Sequence, residues 1–375
     1  MRVLFTMNPA PGHLFAMVPL AWAMHLAGDQ VLVAVPPALH QQVRRAGLTA
    51  AAVGGEASFL DLWPGDRALG GNEELDLDVF VAIAERTAPD VLALAAAWRP
   101  DLIVSEPVEY AGPLAATRLG VPWVLHHWGL PVPDEAHRAA LAKVAGRLGA
   151  LHDGLPVDPP AATVSTCPPS LGPAPGALPM RYVPFNAACT LPDWLLAPRT
   201  RPRVCVSMGT VPIPEGVDGL TVAVRGLADL DVEVIVSGAG VHGIGDLPAN
   251  DRRIGWIPHR HLLPSCDLFV HHGGSGSSMA ALTIGRPQLL MPQMCDQFSI
   301  AERLTAAGLA RAVPFAARSA GAVRALVTDL LADPGPAERA ARIRDEIAAM
   351  PSPAAVASEL ALVGSLTAAR YVVPV

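Results

Sequence analysis

Short apolar runs alternate with longer stretches of helical periodicity along most of the chain. This alternation is typical of βαβ units, which form parallel sheets covered by helices. The predicted strands are Val3–Thr6, Val31–Val35, Asp101–Val104 and Pro122–Leu125 in the first half, and Arg203–Met208, Val232–Val236, Asp267–Val270 and Gln288–Met291 in the second. Helices are predicted near residues 15–27, 38–46, 76–98 and 109–119, and near 216–228, 275–285, 296–307 and 317–332.

The alternation stops between residues 152 and 202, where prolines are crowded. Proline lacks a backbone N–H, so helices and central strands are not expected there, and the segment is predicted to be a linker with surface loops. The pattern therefore predicts two doubly wound, Rossmann-like α/β domains facing across a cleft, with ligands bound outside the carboxyl ends of the strands. The predicted domains are residues 1–195 and 196–353, and the segment 354–375 is predicted to pack back on the first domain as a helix.

Length and composition narrow the class of protein. The 375 residues favour two domains, at about 150 residues each. A net charge of −7 argues against nucleic acid as a partner. Residues 3–28 carry no Asp, Glu, Lys or Arg, but Asn8, Pro9, Pro11 and Pro19 interrupt them, so no signal peptide or membrane anchor is expected. Five isolated cysteines indicate a reducing compartment, and a cytoplasmic protein is predicted.

The most informative segment runs from Asp267 to Leu282, where a strand leads through a Gly/Ser turn directly into a helix. The turn glycines allow close approach of a ligand, and the N–H groups at a helix start favour a phosphate group. The adjacent His271 and His272 point to opposite faces of the strand, and His272 is predicted to face the ligand. Ser275, Ser277 and Ser278 are candidate N-caps, so a plain helix cap is the alternative to a diphosphate site.

A second glycine motif, Gly238–Gly243, fits G-x-G-x-x-G after a strand, but no helix follows it. The context of a dinucleotide site is therefore missing, and the segment is predicted to be a surface loop.

Candidate chemistry in the first half centres on His13, which follows the first strand and precedes the first predicted helix. An imidazole in such a loop suits general-base catalysis, and a structural histidine is the alternative. Glu106, at the end of a predicted strand, is the best-placed carboxylate to orient His13, and Glu109 is the second choice. Residues His126–Trp128 are predicted to line an acceptor pocket, to belong to the core or to cap a helix.

Three residues of the second half are candidates for donor recognition. Trp256 offers a flat surface for stacking on a nucleobase, although a core tryptophan is the more usual outcome. Asp296 and Gln297 place a carboxylate and an amide at a helix start, which suits either sugar hydroxyls or an ordinary N-cap.

Together these segments resemble GT-B glycosyltransferases of the UGT superfamily, in particular the bacterial branch that attaches dTDP-activated deoxysugars to antibiotics. The residues that resemble the family's donor-binding signature are 271–277, 255–258 and 291–298. Looser matches to the family are residues 207–210, 12–13, 181–186 and 191–195. The resemblance covers essentially the whole chain. It implies a GT-B fold and a natural-product glycosyltransferase that takes a nucleotide-sugar donor and a hydrophobic, aromatic or polyketide-like acceptor.

The resemblance also implies roles for individual residues. His13 matches the catalytic base, and Glu106 falls where related enzymes often have an aspartate that orients it. The residues implied to hold the donor diphosphate are Thr210, His272, Gly274, Ser275, Gly276 and Ser277; those implied for the nucleobase are Trp256 and Ile257, and those for the donor sugar are Asp296 and Gln297. The implied reaction is inverting and uses no metal and no cofactor apart from the dTDP-sugar co-substrate.

Other functions stay open at this point. A sugar-nucleotide epimerase would use the same diphosphate site, and a non-catalytic helper protein would keep the fold. A nicotinamide dehydrogenase is disfavoured because no helix follows the G-x-G-x-x-G motif. Loops near 54–75 and 128–160, with Phe59 and Trp63, favour an apolar, flat acceptor. Transfer to an oxygen of the acceptor is predicted, an aromatic carbon could be served by the same base and donor site, and a homodimer stays open.

Overall fold

The structure is a computed structural model, which describes all residues except 57–60, 62–76, 132–133, 152–153, 155, 212–213, 239–240, 242–250, 254 and 369–375. Phe59 and Trp63 lie outside the described residues, as does most of the predicted surface loop at 238–243. The described residues form two compact units. One contains the residues up to Arg181 together with those from Met350 onward, and the other contains Tyr182–Ala349.

The first unit is built on a seven-stranded parallel sheet in the order β3-β2-β1-β4-β5-β6-β7. The order reverses between β1 and β4, which is the topological switch point of a doubly wound sheet. Val3, Leu4 and Phe5 of the central strand β1 are fully buried, as expected for a strand covered by helices on both faces. The strands are β1 (Arg2–Thr6), β2 (Gln30–Val35), β3 (Thr49–Ala52), β4 (Leu102–Ser105), β5 (Trp123–His126), β6 (Ala162–Ser165) and β7 (Leu178–Pro179).

The described residues of this unit form six α-helices, of which the last lies beyond residue 350. They are α1 (Pro11–Leu26), α2 (His40–Arg45), α3 (Asp78–Trp98), α4 (Ala111–Leu119), α5 (Asp134–Arg147) and α13 (Pro353–Ala368). The C-terminal helix α13 packs against α1 and buries Val356 and Leu360.

The second unit contains a six-stranded parallel sheet in the order β10-β9-β8-β11-β12-β13. Its strands are β8 (Arg203–Ser207), β9 (Glu233–Val236), β10 (Asp251–Arg253), β11 (Leu268–His271), β12 (Gln288–Leu290) and β13 (Ala310–Ala312). Its helices are α6 (Asp193–Leu196), α7 (Pro214–Leu227), α8 (His259–Leu262), α9 (Ser275–Ile284), α10 (Gln297–Ala306), α11 (Ala320–Ala332) and α12 (Pro334–Ala349). One apolar cluster lies between this sheet and α7 and α11, and a second one contains Phe269 and Ile257. The α/β class and the parallel sheets predicted from the sequence are thus confirmed.

The proline-rich segment 152–202 differs from its prediction, because it contains two strands of the first sheet. Residues Ala162–Ser165 of β6 are free of proline and pair with both β5 and β7, so β6 is an inner strand. The adjoining β7 ends in Pro179 and lies at the sheet edge, where a missing N–H is tolerated. The units divide at 181/182 and not at 195/196, since Leu195 packs into the second unit's core beside Phe269.

Within the described residues, no single helix is long and apolar enough to cross a membrane. In the same described part of the chain, one bent pair of helices, Pro334–Ala349 and Pro353–Gly364, has the required length and composition when the two are taken together.

Candidate functional site

The turn from β1 into α1 places His13 at the carboxyl end of the central strand. Pro11 opens α1 and so favours an early helix start, because its fixed φ suits the first helical turn. His13 is therefore the third residue of the helix, and the predicted loop position before the helix is wrong. Its Nδ1 lies 2.8 Å from Oε1 of Glu106, which follows β4 directly and is fully buried. The structure thus brings the predicted pair together.

Glu106 is held by hydrogen bonds from the neighbouring backbone and from one side chain. Asn8 donates to Oε1 through its backbone N at 3.1 Å and its Nδ2 at 2.7 Å, and Val108 N donates to Oε2 at 2.9 Å. The Asn8 amide also donates to the Val108 carbonyl at 2.8 Å. These bonds fix the carboxylate so that His13 meets it through Nδ1. Sequence reasoning did not assign a role to Asn8, although it begins the proline-containing segment that ends at His13.

Two aromatic rings, those of Trp128 and Phe80, lie near the imidazole of His13. The ring of Trp128 lies 4.4 Å from the imidazole, centroid to centroid, and that of Phe80 lies 6.0 Å away. The Trp128 Nε1–H is buried and has no hydrogen-bond partner among the described residues. His126 is fully buried, and burial lowers its pKa to about 4, so it is a neutral core residue. Of the segment predicted to line an acceptor pocket, Trp128 is therefore the residue placed beside His13.

Glu109, the second choice of carboxylate, belongs to a separate network behind the pair. It accepts hydrogen bonds from Thr6 Oγ1 at 2.5 Å, Ala111 N at 2.8 Å and Gly112 N at 2.9 Å. Burial raises the pKa of Glu109 to about 7; these hydrogen bonds oppose the shift and the charge of Glu106 adds to it. Glu109 is thus a buried carboxyl that titrates near neutrality.

In the second unit, β11 leads through Gly273 and Gly274 into the first turn of α9. The N-cap is Gly274, with no side-chain cap, so the prediction that a serine caps this helix is wrong. Ser278 N donates to the Gly274 carbonyl at 3.0 Å, which is the first intrahelical bond. The N–H groups of residues 275–277 therefore lack intrahelical partners. The buried Ser275 Oγ has no hydrogen-bond partner in the described part of the chain.

The His272 side chain lies between two glycines, where neither position has room for a side chain. An added Cβ would lie 2.7 Å from the imidazole Cε1 at Gly209 and 2.3 Å from Nε2 at Gly274. Gly209 follows β8, which pairs with β11, so the carboxyl ends of these strands bring Thr210 and His272 to the same edge of the sheet. Burial lowers the pKa of His272 to about 4, with His259 adding to the shift and the Ser207 backbone opposing it. The ring is neutral at pH 7.

The predicted nucleobase residues have different surroundings. Trp256 is half-buried, and its Nε1 donates to the Asn186 carbonyl, while the Asn186 Oδ1 accepts from His259 N at 2.9 Å. The hydrogen bond to Asn186 orients the indole of Trp256. Sequence reasoning assigned no role to Asn186. The Ile257 side chain is in the core beside Phe269, so only its backbone is left for a nucleobase.

Asp296 and Gln297 lie at the start of α10, as predicted, and Asp296 is the N-cap residue without a side-chain cap bond. The Gln297 Oε1 accepts from Gln293 N at 2.8 Å and Met294 N at 3.3 Å, so its carbonyl holds the preceding turn. A Cβ on Gly273 would lie 3.2 Å from the Gln297 backbone oxygen, which shows that this turn adjoins the Gly273 bend. Among the described residues, no three His, Cys, Asp or Glu side chains are grouped as metal ligands would be.

Both halves of the chain match known protein families. Residues 22–209 match the N-terminal domain and residues 221–363 the C-terminal domain of the family described as erythromycin biosynthesis protein CIII-like. The chain is 41% identical to the L-demethylnoviosyl transferase of Streptomyces niveus, over 96% of this chain and 98% of that protein. It is 31% identical to the tylactone mycaminosyltransferase of Streptomyces fradiae, over 96% of this chain and 92% of the relative.

Solved structures agree with these matches. The spinosyn rhamnosyltransferase SpnG complexed with thymidine diphosphate has a TM-score of 0.84 and 32% identity, covering 96% of this chain and all of SpnG. The glycosyltransferase SnogD from Streptomyces nogalater has a TM-score of 0.83 and 32% identity, covering 97% of this chain and 99% of SnogD.

The fold and these matches define a GT-B enzyme that transfers sugars from nucleotide-sugar donors. The chain belongs to the erythromycin biosynthesis protein CIII-like family of bacterial natural-product glycosyltransferases.

Proposed function

We propose that the protein moves a deoxysugar from a dTDP-sugar to an oxygen atom of a hydrophobic, aromatic or polyketide-like aglycone, with inversion at the anomeric carbon. The observation that carries this proposal is the hydrogen bond between His13 Nδ1 and Glu106 Oε1. Because the carboxylate accepts the Nδ1–H, the lone pair of Nε2 is left to accept a proton from a substrate. Trp128 and Phe80 beside this ring suit an apolar aglycone.

In the proposed step, the hydroxyl oxygen of the acceptor attacks the anomeric carbon while its proton moves to Nε2 of His13. The bond from that carbon to the diphosphate oxygen breaks, and the nucleoside diphosphate leaves with the electron pair. Glu106 stabilises the imidazolium that forms, since the buried carboxylate stays in contact with Nδ1. Attack from the side opposite the leaving group inverts the configuration.

The departing diphosphate is proposed to bind at the start of α9. The three N–H groups without intrahelical partners and the positive end of the helix dipole favour an anion there. Ser275 Oγ and the neutral His272 ring add hydrogen-bonding groups at the same turn. Donors fixed in place before the reaction lower the barrier because they need no reorganisation as the negative charge develops.

Several observations favour thymidine diphosphate as the nucleotide part. Similarity extends over the whole chain to SpnG, whose solved structure contains thymidine diphosphate, and to the glycosyltransferase VinC in complex with dTDP. Trp256, held by Asn186, is proposed to stack on the base, and Asp296 and Gln297 to bind the sugar hydroxyls. We further propose that the enzyme acts in the cytoplasm, which the sequence supports because its five cysteines include no C-x-x-C pair.

The first test is the substitution His13→Ala, assayed with a panel of dTDP-sugars and aromatic aglycones by mass spectrometry. Turnover is expected to fall by about two to four orders of magnitude because the general base is lost. The calorimetric affinity for dTDP is expected to stay unchanged, since the donor groups are elsewhere. Wild-type turnover in this variant would remove His13 from the mechanism. Incubation of the donor without an acceptor separates the alternatives, because an altered sugar would indicate an epimerase.

The second test addresses the proposal that the transfer needs no metal ion. The reaction rate is expected to be the same with and without EDTA, because the helix start and fixed side chains stabilise the diphosphate charge. Activity that EDTA abolishes and Mg²⁺ restores would contradict the proposal.

A further inference from the structure

The buried histidine that precedes His272 makes hydrogen bonds through both ring nitrogens. His271 ends β11, is fully buried and stacks on the Phe269 ring with 4.4 Å between centroids. Its Nδ1 accepts the backbone N–H of Gly273 at 3.1 Å. Its Nε2 lies 2.9 Å from Oε1 of Gln288, a fully buried residue on the neighbouring strand β12.

These contacts determine the tautomer of the ring. Because Nδ1 accepts an N–H, it carries no proton, and the single proton of the neutral ring is on Nε2. The proton on Nε2 requires an acceptor, so the Gln288 amide must present its oxygen, as it does in the structure. The Gln288 Nε2 accordingly has no partner among the described residues. The Gly273 bond and the Gln288 bond therefore depend on each other.

The Gly273 bond also determines which backbone groups are available to an anion. Gly273 has a φ of +87°, in the left-handed region, and its N–H points inward to His271. Its carbonyl accepts a hydrogen bond from Ser278 Oγ at 3.3 Å. Both backbone groups of Gly273 are thus used inside the protein, whereas the N–H groups of residues 275–277 lack intrahelical partners.

We infer that His271, held in its Nε2–H form by Gln288, is a positioning residue that fixes the Gly273 bend and thereby aims the N–H groups of residues 275–277 at the donor diphosphate. The inference rests on the proposed diphosphate site and adds the two residues that preorganise it. Burial lowers the pKa of His271 well below its ordinary value, and the nearby His272 and His259 add to this shift. Both of these titratable neighbours also have a lowered pKa of about 4, so the cluster is uncharged near neutrality.

The primary experiment compares dTDP affinity by calorimetry in His271→Phe and His271→Asn, using the full-length protein. Phenylalanine keeps a ring against Phe269 but has no acceptor for the Gly273 N–H, and a loss of affinity of at least about tenfold is expected. Asparagine offers an oxygen near the position of Nδ1 and is expected to bind within about threefold of wild type. The matched control Thr283→Val removes a hydrogen bond to Met279 within α9 and should leave the affinity unchanged.

Wild-type affinity in His271→Phe, or equal losses in both His271 variants, would overturn the inference. A wild-type protein that binds no dTDP would instead refute the proposed donor site. Hydrogen exchange of the Gly273 amide without nucleotide then still tests the bend, since protection should be lost in His271→Phe and kept in His271→Asn. Equal protection in the wild type and His271→Phe would overturn the inference independently of any ligand.

A second variant, Gln288→Glu, tests the tautomer and also covers the case in which His271→Phe does not fold. A carboxylate beside Nε2 favours the imidazolium, whose Nδ1–H opposes the Gly273 N–H. The dTDP affinity relative to wild type is therefore expected to be reduced by about tenfold at pH 6 and to recover as the pH rises to 9. A ratio that does not change with pH, whether at the wild-type level or below it, would contradict the proposed role of Gln288.

Discussion

At the residue scale, two buried carboxyl groups near the candidate base, Glu106 and Glu109, have different surroundings. Glu106 accepts hydrogen bonds from Asn8, Val108 and His13. Glu109, three residues further on, lies in a network with Thr6, and burial raises its pKa to about 7. Only Glu106 contacts His13, so the two carboxyls are distinguished by their hydrogen-bond partners and not by their distance along the chain.

The titration of Glu109 predicts a specific dependence of stability on pH. Its pKa is 4.5 in the absence of perturbation and about 7 in the fold, so between these values the folded protein binds more protons than the unfolded chain. The free energy of unfolding therefore falls as the pH rises through this window, by on the order of 3 kcal/mol at most. Glu109→Gln removes this contribution, and the variant is expected to gain stability relative to wild type between pH 4.5 and 7.5. Urea unfolding across this range measures the difference, and parallel curves for the two proteins would contradict the assignment.

The pair His13 and Glu106 could be predicted from the sequence, whereas the residues that hold Glu106 and Trp256 could not. In a parallel sheet, the residues that follow neighbouring strands meet at one edge, so strand ends alone indicated this pair. The partners Asn8 and Asn186 could not be chosen in the same way. Their bonds to Glu106 and Trp256 join residues 98 and 70 positions apart, and these depend on how the loops fold.

At the element scale, the β11–α9 connection shows a use of glycine that the sequence did not reveal. The turn glycines were predicted to allow the close approach of a ligand, which stays a prediction. Gly274 of this turn, together with Gly209 after β8, also provides the space that the His272 ring occupies. The inner strand β6 was likewise missed, because the prediction for residues 152–202 was based on the proline content of the whole segment. The four residues of β6 contain no proline and pair with β5.

The packing of His272 predicts the effect of a single methyl group. Gly274→Ala is compatible with the backbone, whose φ is −60°, but the added Cβ would lie 2.3 Å from His272 Nε2. The ring must move, and dTDP affinity is expected to fall by at least about tenfold. The control Gly321→Ala lies in the first turn of α11, where a Cβ meets nothing within 4 Å, and should bind like wild type. Equal calorimetric affinities for all three proteins would show that the position of His272 does not determine donor binding.

At the scale of the whole molecule, the chain returns to its first unit after completing the second. Helix α13 lies beyond residue 350 yet packs on α1, the helix that carries His13. Arg181 N also donates to the Pro351 carbonyl at 2.7 Å, which is a further hydrogen bond within the first unit between residues far apart in sequence. The stability of the first unit therefore depends on residues that follow the second unit in sequence.

This arrangement predicts that a substitution in α13 lowers the stability of the first unit without changing that of the second. Leu360→Ala removes a fully buried side chain of α13 and is expected to destabilise the first unit by about 3 kcal/mol. The control Leu362→Ala changes a side chain that is 65% exposed on the same helix and should leave the stability nearly unchanged. Hydrogen exchange is expected to show the loss of protection in α1 and the strands beside it, while the calorimetric affinity for dTDP persists because its groups lie in the second unit. Loss of protection that spreads equally through β8 and β11 would instead show that the two units unfold as one.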